Sequence, residues 1–201
     1  MTDHFQDKAA DWDARDTVRE LSRAVGAAIL ERAPLAAGQR VLDFGAGTGL
    51  IAAQVAARVE RVTAVDVSRA MLDALLAKPE LEGKVEAVCQ DILEAPLGRS
   101  FDGIVSAMAM HHVEDTGRMI RSFADHLAPG GFVALADLDL EDGTFHPADV
   151  EGVFHQGFDR AALGATLEAS GFVDVDFATA HTVEKEGGSY PVFLVLARKA
   201  S

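Results

Sequence analysis

The sequence predicts an α/β fold with a mainly parallel sheet, because short β-branched runs alternate with Ala- and Leu-rich stretches of helical spacing. Runs with the composition of strands lie at 40–44, 61–65, 84–88, 102–106, 132–136, 172–179 and 190–198. Helices are predicted at 15–33, 50–59, 69–77, 115–127 and 159–170. No linker interrupts this alternation, so we expect residues 1–201 to form one domain.

Local signals set several of these boundaries. Pro34 and Gly38 follow the apolar stripe of the first helix, and Ser68 is placed to cap the helix at 69–77. A Pro-Gly-Gly run at 129–131 ends the helix at 115–127, and a Gly-Gly pair at 187–188 marks a turn between the last two strands. Residues 1–35 are expected to form a helical lid segment, and the polar, His- and Gly-rich residues 137–158 a loop or lid.

Composition narrows the class of partner. The 201 residues carry a formal charge of −14, and like-charge repulsion argues against nucleic acid or an anionic membrane as partner. No apolar stretch approaches the roughly 20 residues that span a bilayer. The N-terminus does not have the pattern of a secretory signal, and the single Cys89 cannot form an internal disulfide. We therefore expect a cytoplasmic protein that acts on a small molecule.

A glycine-rich loop joins the first strand to the helix at 50–59. In VLDFGAGTGL, the glycines at 45, 47 and 49 allow a tight turn and a close approach of a ligand to the backbone. A dinucleotide fingerprint requires G-x-G-x-x-G, whereas here the third glycine comes one residue early and Leu50 takes its place. The loop therefore favours a cofactor without a pyrophosphate, with a turn that binds no ligand as the alternative.

Acidic residues follow the next two strands. Asp66 can accept hydrogen bonds from both hydroxyls of a ribose, although it could also be a turn residue before the helix at 69–77. Asp91 could contact the exocyclic amine of an adenine while Ile92 packs on its ring, or Asp91 could be a surface turn residue. Because the carboxyl ends of parallel strands meet at one edge of the sheet, these residues predict a nucleoside site.

These segments resemble the class I (Rossmann-like) S-adenosylmethionine-dependent methyltransferases. The resemblance is carried by VLDFGAGTGL, VTAVDVS, CQDIL, FDGIVSAMAMHHVED and LAPGGFVALAD, in the order that the family has them. Within the family, the chain is most similar to the small bacterial methyltransferases of the ubiquinone/menaquinone type. The resemblance implies a doubly wound, seven-stranded sheet with the last strand antiparallel and helices on both faces. It also implies S-adenosylmethionine as cofactor and S-adenosylhomocysteine as product.

The resemblance further implies a set of cofactor-binding residues at the strand ends. These are Asp43, Gly45, Ala46, Gly47, Gly49, Asp66, Val67, Met71, Asp91, Ile92, Ser106 and Ala107. The glycine loop and the backbone at 106–107 would surround the methionine part of the cofactor, and Asp43 would help to hold its amino acid end. Asp66 would hold the ribose, and the residues at 67, 71, 91 and 92 would lie near the adenine.

The acceptor side is predicted from residues that follow the fourth strand. His111 and His112 could bind or deprotonate an acceptor, or could simply pack and cap the next helix. Asp137, Phe145 and Trp12 are candidates for the wall of the acceptor pocket. By the resemblance, Phe5 and Trp12 would close over the cofactor, with simple docking of a mobile terminus as the alternative. The acidic stretch 137–155 has no compact ligand spacing, so no metal site is expected.

Together these features predict in-line methyl transfer to a small molecule. This reaction needs alignment and exclusion of water more than it needs a catalytic triad. One alternative is an NAD(P)-dependent oxidoreductase, although the only tyrosine, Tyr190, has Leu194 four residues on and not a lysine. Another is a regulatory protein that binds S-adenosylmethionine without catalysis. No motif specifies the acceptor, the methylated atom or the number of subunits.

Overall fold

The computed structural model describes residues 6–147, 150–185 and 188–201. The strands are β1 Arg40–Phe44, β2 Arg61–Asp66, β3 Val85–Cys89, β4 Phe101–Ala107, β5 Leu127–Leu138, β6 Phe172–Lys185 and β7 Gly188–Lys199. The helices are α1 Asp16–Arg32, α2 Leu50–Val55, α3 Arg69–Leu76, α4 Thr116–His126 and α5 Arg160–Ala169. Phe5, residues 148–149 of the expected lid and the first glycine of the predicted turn lie outside the described residues.

The strands form one sheet in the order β3-β2-β1-β4-β5-β7-β6. Strands β1 to β5 pair in parallel, and β7 lies antiparallel between β5 and β6. The predicted seven-stranded sheet with an antiparallel last strand is therefore confirmed. Strand order reverses between β1 and β4, and in such sheets ligands bind beside the carboxyl ends of the strands at this point.

Both faces of the sheet are buried, which explains why its central strands are almost continuously apolar. Val41 packs with α1, α2 and α3 on one face, and its neighbour Leu42 packs with α4 and α5 on the other. Successive strand residues point to opposite faces, so each strand contributes to both cores. The helices and sheet thus form three layers, with the carboxyl ends of β1, β2 and β4 accessible from one edge.

Side-chain caps fix where three helices begin, and each lies where a strand-end loop turns into a helix. The predicted cap Ser68 accepts a hydrogen bond from the backbone N–H of Met71 at 3.4 Å. Asp115 and Asp159 cap α4 and α5 in the same way, at 2.7 and 2.8 Å. These caps satisfy backbone groups that the helix itself leaves unpaired.

Several boundaries differ from the sequence-based prediction. Helix α4 ends before Pro129 as expected, but the Pro-Gly-Gly run lies inside β5, with a register shift opposite Phe101 and Gly103. Strand β6 continues to Lys185 because β7 pairs with it along that length. Within the segment 1–35, which was expected to be helical, Gln6–Ala14 forms a 3-10 helix separate from α1, and α2 ends early, at Val55. Among the described helices, none is long and apolar enough to span a bilayer.

Candidate active site

A cavity of about 590 Å³ opens at the carboxyl ends of the central strands. This volume is within the range of about 300–1,000 Å³ that is usual for small-molecule sites. Its wall combines strand-end loops with residues from Gln6–Ala14, α1, the stretches 145–147 and 150–151 and the end of β6. We call the part formed by Asp43, residues 45–47, Asp66 and Asp91 the cofactor end, and the part formed by His111, His112, Phe145 and His146 the acceptor end.

The glycine loop needs glycine for two different reasons. Gly45 and Gly47 have φ values of 66° and 53°, which residues other than glycine rarely adopt. A Cβ atom on Gly45 would lie 2.4 Å from the Cβ of Ala109, whereas a Cβ on Gly47 would meet nothing within 4 Å. The loop is held by the N–H groups of Gly45 and Ala46, which both donate to the carbonyl of Val65. Gly45 therefore serves packing, and Gly47 borders open space in the cavity.

Asp66 organises the cofactor end. One carboxylate oxygen accepts a hydrogen bond from the N–H of Gly47 at 2.8 Å, and the other accepts from the N–H of Ser68 at 2.8 Å. Asp66 is thus a turn residue before α3 and also a lining residue of the cavity. Each carboxylate oxygen has a further lone pair, so these contacts leave acceptor capacity for the hydroxyls of a ligand.

Asp43 is a buried carboxyl group in the cavity wall. It is 1% exposed, and its Oδ2 atom has no hydrogen-bond partner among the described residues. Burial, and to a smaller extent the nearby charge of Asp66, raises the pKa of Asp43 from 3.8 to about 8. An unpaired buried carboxyl of this kind is stabilised by a cationic ligand.

Most of the residues that were predicted to lie near the adenine line the cavity. Asp91 lines the cavity, and its side chain also accepts a hydrogen bond from the N–H of Leu93 at 2.9 Å. Ile92 was predicted to lie on the adenine, but it is 1% exposed and packs in the core beneath α4. Leu93 lines the cavity in its place, and Val67 and Met71 line it as predicted.

Two other predicted cofactor residues lie behind the cavity wall. Gly49 is the residue before α2, and its φ is 82°. A Cβ on Gly49 would lie 2.7 Å from the side chain of Leu75. Ser106 is fully buried and donates its hydroxyl hydrogen to the carbonyl of Phe44, which ties β4 to β1. Both residues shape the loop from behind, because the ends of the strands place Ala46 and Ala107 in the wall instead.

A short 3-10 helix, Met110–His112, carries the two predicted histidines into the acceptor end. The Nδ1 atom of His111 lies 2.7 Å from Oδ1 of Asp137. Asp137 was predicted to form the pocket wall, but it is fully buried behind His111 and does not line the cavity. Its position inside β5, and not in the loop after it, explains this difference.

His112 and His146 flank His111 on the cavity side. The ring centroid of His111 lies 4.1 Å from that of His112 and 5.0 Å from that of His146. Burial and the neighbouring His111 ring lower the pKa of each flanking histidine to about 4. Both side chains are therefore neutral near pH 7.

The N-terminal segment crosses the cofactor end and places Trp12 in the cavity wall. Asp13 accepts a hydrogen bond from the hydroxyl of Thr48 at 2.6 Å and pairs with Lys78 at 2.6 Å. Lys78 also donates to the carbonyl of Thr48 at 2.7 Å. These contacts attach the 3-10 helix Gln6–Ala14 to the residue that follows Gly47.

Comparisons with known proteins identify this arrangement. Residues 41–131 match the family described as a methyltransferase domain. The chain is also 31% identical over 182 residues to O-methyltransferase rstn1 of Aspergillus nomiae. This match covers 83% of this chain and 80% of the Aspergillus protein. The chain belongs to the class I S-adenosylmethionine-dependent methyltransferases. The alternatives of an NAD(P)-dependent oxidoreductase and of a regulatory protein without catalysis are therefore wrong.

Solved methyltransferase structures have the same fold. The complex of DhpI with S-adenosylhomocysteine has a TM-score of 0.76 at 24% identity, covering 98% of this chain and 94% of that one. Phosphoethanolamine N-methyltransferase 2 of Haemonchus contortus, in complex with S-adenosylmethionine, has a TM-score of 0.73 at 20% identity. The match covers 98% of this chain but only 60% of the Haemonchus protein.

The residues of the methyltransferase site fit its cofactor chemically. S-adenosylmethionine has a sulfonium and an ammonium group, and Asp43 offers a buried oxygen without a protein partner. Asp66 and Asp91 add carboxylates beside the same cavity, which would repel the pyrophosphate of a nicotinamide dinucleotide. The donor set of the cofactor end therefore matches a cation that contains a nucleoside.

Sequence reasoning missed other cavity residues. Met108 has φ 56° directly after β4, and Lys185 reaches the wall from the end of β6, where its ammonium lies 4.6 Å from the ring centroid of Phe145. His146 lies in the stretch 137–155, which was considered only for a metal site. Within the described parts of the chain, no group of three or more His, Cys, Asp or Glu side chains is placed to hold a metal ion. No local pattern marked these positions, because distant segments bring them together.

Proposed function

We propose that the cofactor end holds S-adenosylmethionine and that the acceptor end holds a small molecule, which is methylated on an oxygen. The unpartnered Oδ2 of buried Asp43, facing a cavity bordered by Gly47 and Asp66, is the observation that carries the proposal. The choice of oxygen is supported by rstn1, which is named an O-methyltransferase.

Each part of the cofactor end has a proposed role. The amino acid end of the cofactor lies against Asp43 and the glycine loop, with Gly47 leaving room for close contact. Asp66 binds the ribose, and Asp91 lies at the adenine edge with Leu93 against the ring. When bound, the cofactor would supply the methyl group of its sulfonium, and the thioether that remains is a good leaving group. The protein mainly has to align the acceptor and exclude water.

The segments 1–35 and 137–158 are proposed to act as covers in one domain of residues 1–201. The contacts of Asp13 with Thr48 and Lys78 support this role for the first segment, because they hold Trp12 over the glycine loop. Phe145 and His146 support it for the second, because they enclose the acceptor end. A covered site strengthens electrostatic interactions with the cofactor by excluding water.

Three finer statements remain part of this proposal. A place among the small ubiquinone/menaquinone-type methyltransferases is supported by the order of the sequence motifs. A cytoplasmic location is supported by the single cysteine, and the absence of nucleic acid and membranes as partners by the formal charge of −14. The enzyme would then meet its acceptor as a free small molecule.

Calorimetric titration with S-adenosylhomocysteine, NADH and NADPH tests the cofactor assignment. We expect micromolar binding of S-adenosylhomocysteine alone, and at least tenfold weaker binding by Asp66→Ala. Asp66→Asn keeps one acceptor oxygen and should lose less affinity. Asp73→Asn is the matched control, because Asp73 is an exposed residue of α3, outside the cavity wall, whose carboxylate pairs with Arg69. Tight NADH binding, or equal binding by Asp66→Ala, would contradict the proposal.

A further inference from the structure

We infer that Lys185 determines acceptor specificity: the acceptor is a hydroxy acid with an apolar body, and the Lys185 ammonium binds its carboxylate while its hydroxyl oxygen receives the methyl group. This inference rests on the proposed function and adds the class of acceptor. Its basis is a cation that is held at the acceptor end, with no ion pair to a carboxylate among the described residues.

The backbone of Lys185 is fixed by the sheet. It is the last residue of β6, where it pairs in register with Gly188 of β7. Val183, two residues earlier, is buried in the core and also lines the cavity. Because alternate residues of a strand point to the same face, Lys185 extends from the same side of β6 as Val183. The end of the strand thus delivers a lysine to the cavity wall.

Two contacts with Phe145 hold the ammonium at the acceptor end. Nζ of Lys185 donates a hydrogen bond to the backbone carbonyl of Phe145, and it lies 4.6 Å from the centroid of the Phe145 ring. A cation at this distance from a ring face is attracted to it. An ammonium has three N–H donors, so the bond to the carbonyl leaves donors for both oxygens of a carboxylate.

The charge of Lys185 is not balanced by an ion pair. Two other basic residues that reach loop segments, Lys78 and Arg160, pair with Asp13 and Asp139. Among the described residues, no such pair ties Lys185 to a carboxylate. An anionic ligand would supply the missing charge, and bonds between an ammonium and a carboxylate are stronger than bonds between neutral groups.

The carboxylate closest to this group in effect is engaged elsewhere. Burial, then His111 and then Lys185 lower the pKa of His146, whereas Glu141 acts in the opposite direction. Oε2 of Glu141 accepts hydrogen bonds from the N–H groups of residues 143, 144 and 145, at 2.9, 2.8 and 3.1 Å. Glu141 therefore shapes its own loop, and the positive charge of Lys185 still acts at the acceptor end.

The remaining charges orient an acidic acceptor. The carboxyl groups of the cofactor end would repel a carboxylate, and Glu151 lies on the His112 side, next to Gly152. Arg15 also lines the cavity, but its guanidinium lies over the ring of Trp12, on the N-terminal segment that crosses the cofactor end. At the acceptor end, the place with favourable charge is therefore beside Lys185 and Phe145.

The neighbouring wall is apolar and suits the rest of the molecule. Phe145, Val150 and Val183 line the cavity beside the lysine. A lysine is a compact point charge that balances one negative charge, whereas phosphate groups are commonly bound by bidentate arginines as well. A carboxylate attached to an apolar body fits this combination.

The ion pair separates recognition from reaction. A carboxylate that accepts hydrogen bonds from an ammonium is a weaker nucleophile, so the methyl group goes to the separate hydroxyl oxygen. That oxygen bonds to the methyl carbon, and the bond between this carbon and the sulfonium sulfur breaks with its electron pair on sulfur. The hydroxyl proton is released to solvent.

The test compares hydroxy acids, aromatic and aliphatic, with their neutral methyl esters. Calorimetry measures the binding of each compound to the complex of the protein with S-adenosylhomocysteine, and labelled S-adenosylmethionine measures methyl transfer. The variants are Lys185→Gln, Lys185→Arg and Arg15→Gln. Lys84→Gln is the matched control, because Lys84 is an exposed lysine before β3 and outside the cavity wall.

We expect the wild type to bind at least one hydroxy acid about tenfold or more tightly than its ester. Lys185→Gln should weaken binding of the acid, and raise its KM, by about 10–100-fold with little change in kcat, and should leave the ester nearly unchanged. Lys185→Arg keeps the charge and should keep most of the preference. Lys84→Gln should behave as the wild type.

Equal losses for acid and ester in Lys185→Gln would indicate a purely structural role and overturn the inference. So would binding of no hydroxy acid by the wild-type complex, a preference for esters, transfer of the methyl group to the carboxylate, or loss of the preference in Arg15→Gln alone. Failure of the wild type to bind S-adenosylhomocysteine would instead refute the proposed function. If Lys185→Gln does not fold, the acid-to-ester ratios of the wild type and Lys185→Arg decide.

Discussion

The two ends of the cavity are built in different ways. The cofactor end consists of strand-end loops in which a few consecutive residues, such as 43–47, supply both backbone shape and charge. The acceptor end consists of side chains from Met110–His112 and from residues 145–146, with Asp137 of β5 behind them, and these segments meet only in the folded protein. The first can be recognised in the sequence, whereas the second depends on tertiary contacts.

The ends also differ in their electrostatics. The cofactor end has a buried carboxyl whose pKa is raised to about 8, and the acceptor end has two histidines whose pKa is lowered to about 4. Burial is the first cause in each case, because it disfavours the charged form of any group. Changes of pH should therefore destabilise the two ends in opposite directions.

The largest expected effect concerns the backbone of the cofactor end. Gly45→Ala should lower the free energy of unfolding by about 2–5 kcal/mol, since it combines a left-handed residue with a clash against Ala109. Gly47→Ala should cost only about 1–2 kcal/mol, because its Cβ enters open space. Urea denaturation of the ligand-free variants measures both values. Equal losses would show that packing against Ala109 does not set the shape of the loop.

The same contrast explains how much of the site could be predicted from the sequence. The glycine spacing and the acidic residues after β2 and β3 predicted the region of the cofactor end, and the alternation of elements predicted the sheet. Ile92 and Asp137 were misplaced because a shift of one residue along a chain moves a side chain from the cavity to the core. Lys185 and Met108 had no local signal, since the length of β6 depends on pairing with β7.

The next effect tests the charge of the cofactor end. Because the pKa of Asp43 is raised, the unfolded state releases its proton near pH 4 and the folded state only near pH 8. Ionisation therefore favours unfolding, and the stability of the ligand-free protein should fall as pH rises through this window. Asp43→Asn cannot ionise, so its stability relative to the wild type should rise by on the order of 3 kcal/mol between pH 4 and pH 8.

Urea denaturation at several pH values measures this difference, with Asp73→Asn as the control that makes the same substitution at an exposed position of α3. Asp66 is the charged residue that raises the pKa of Asp43. It is present in both the wild type and Asp43→Asn, so it does not account for the difference between them. A constant difference between Asp43→Asn and the wild type across the window would mean that Asp43 is ionised in the folded protein. The carboxyl group of Asp43 would then not be neutral in the ligand-free protein.

The smallest effect tests the acceptor end with the opposite sign. His112 has a lowered pKa, so the unfolded state takes up a proton near pH 6.5 and the folded state only near pH 4. The stability of the wild type should therefore fall as pH decreases through this window, by on the order of 1–2 kcal/mol after screening by solvent. His112→Gln can still donate to the carbonyl of Gly152 but cannot take up a proton, so its stability relative to the wild type should increase toward acid pH.

His111, His146 and Asp137 face His112 and are common to both proteins, so the difference between their urea denaturation curves isolates the one ring. His181→Gln provides the matched control, because it makes the same substitution on β6 outside the cavity wall. If His112→Gln followed the wild type at every pH, His112 would be protonated in the folded protein. The difference in charge between the two ends of the cavity would then be lost.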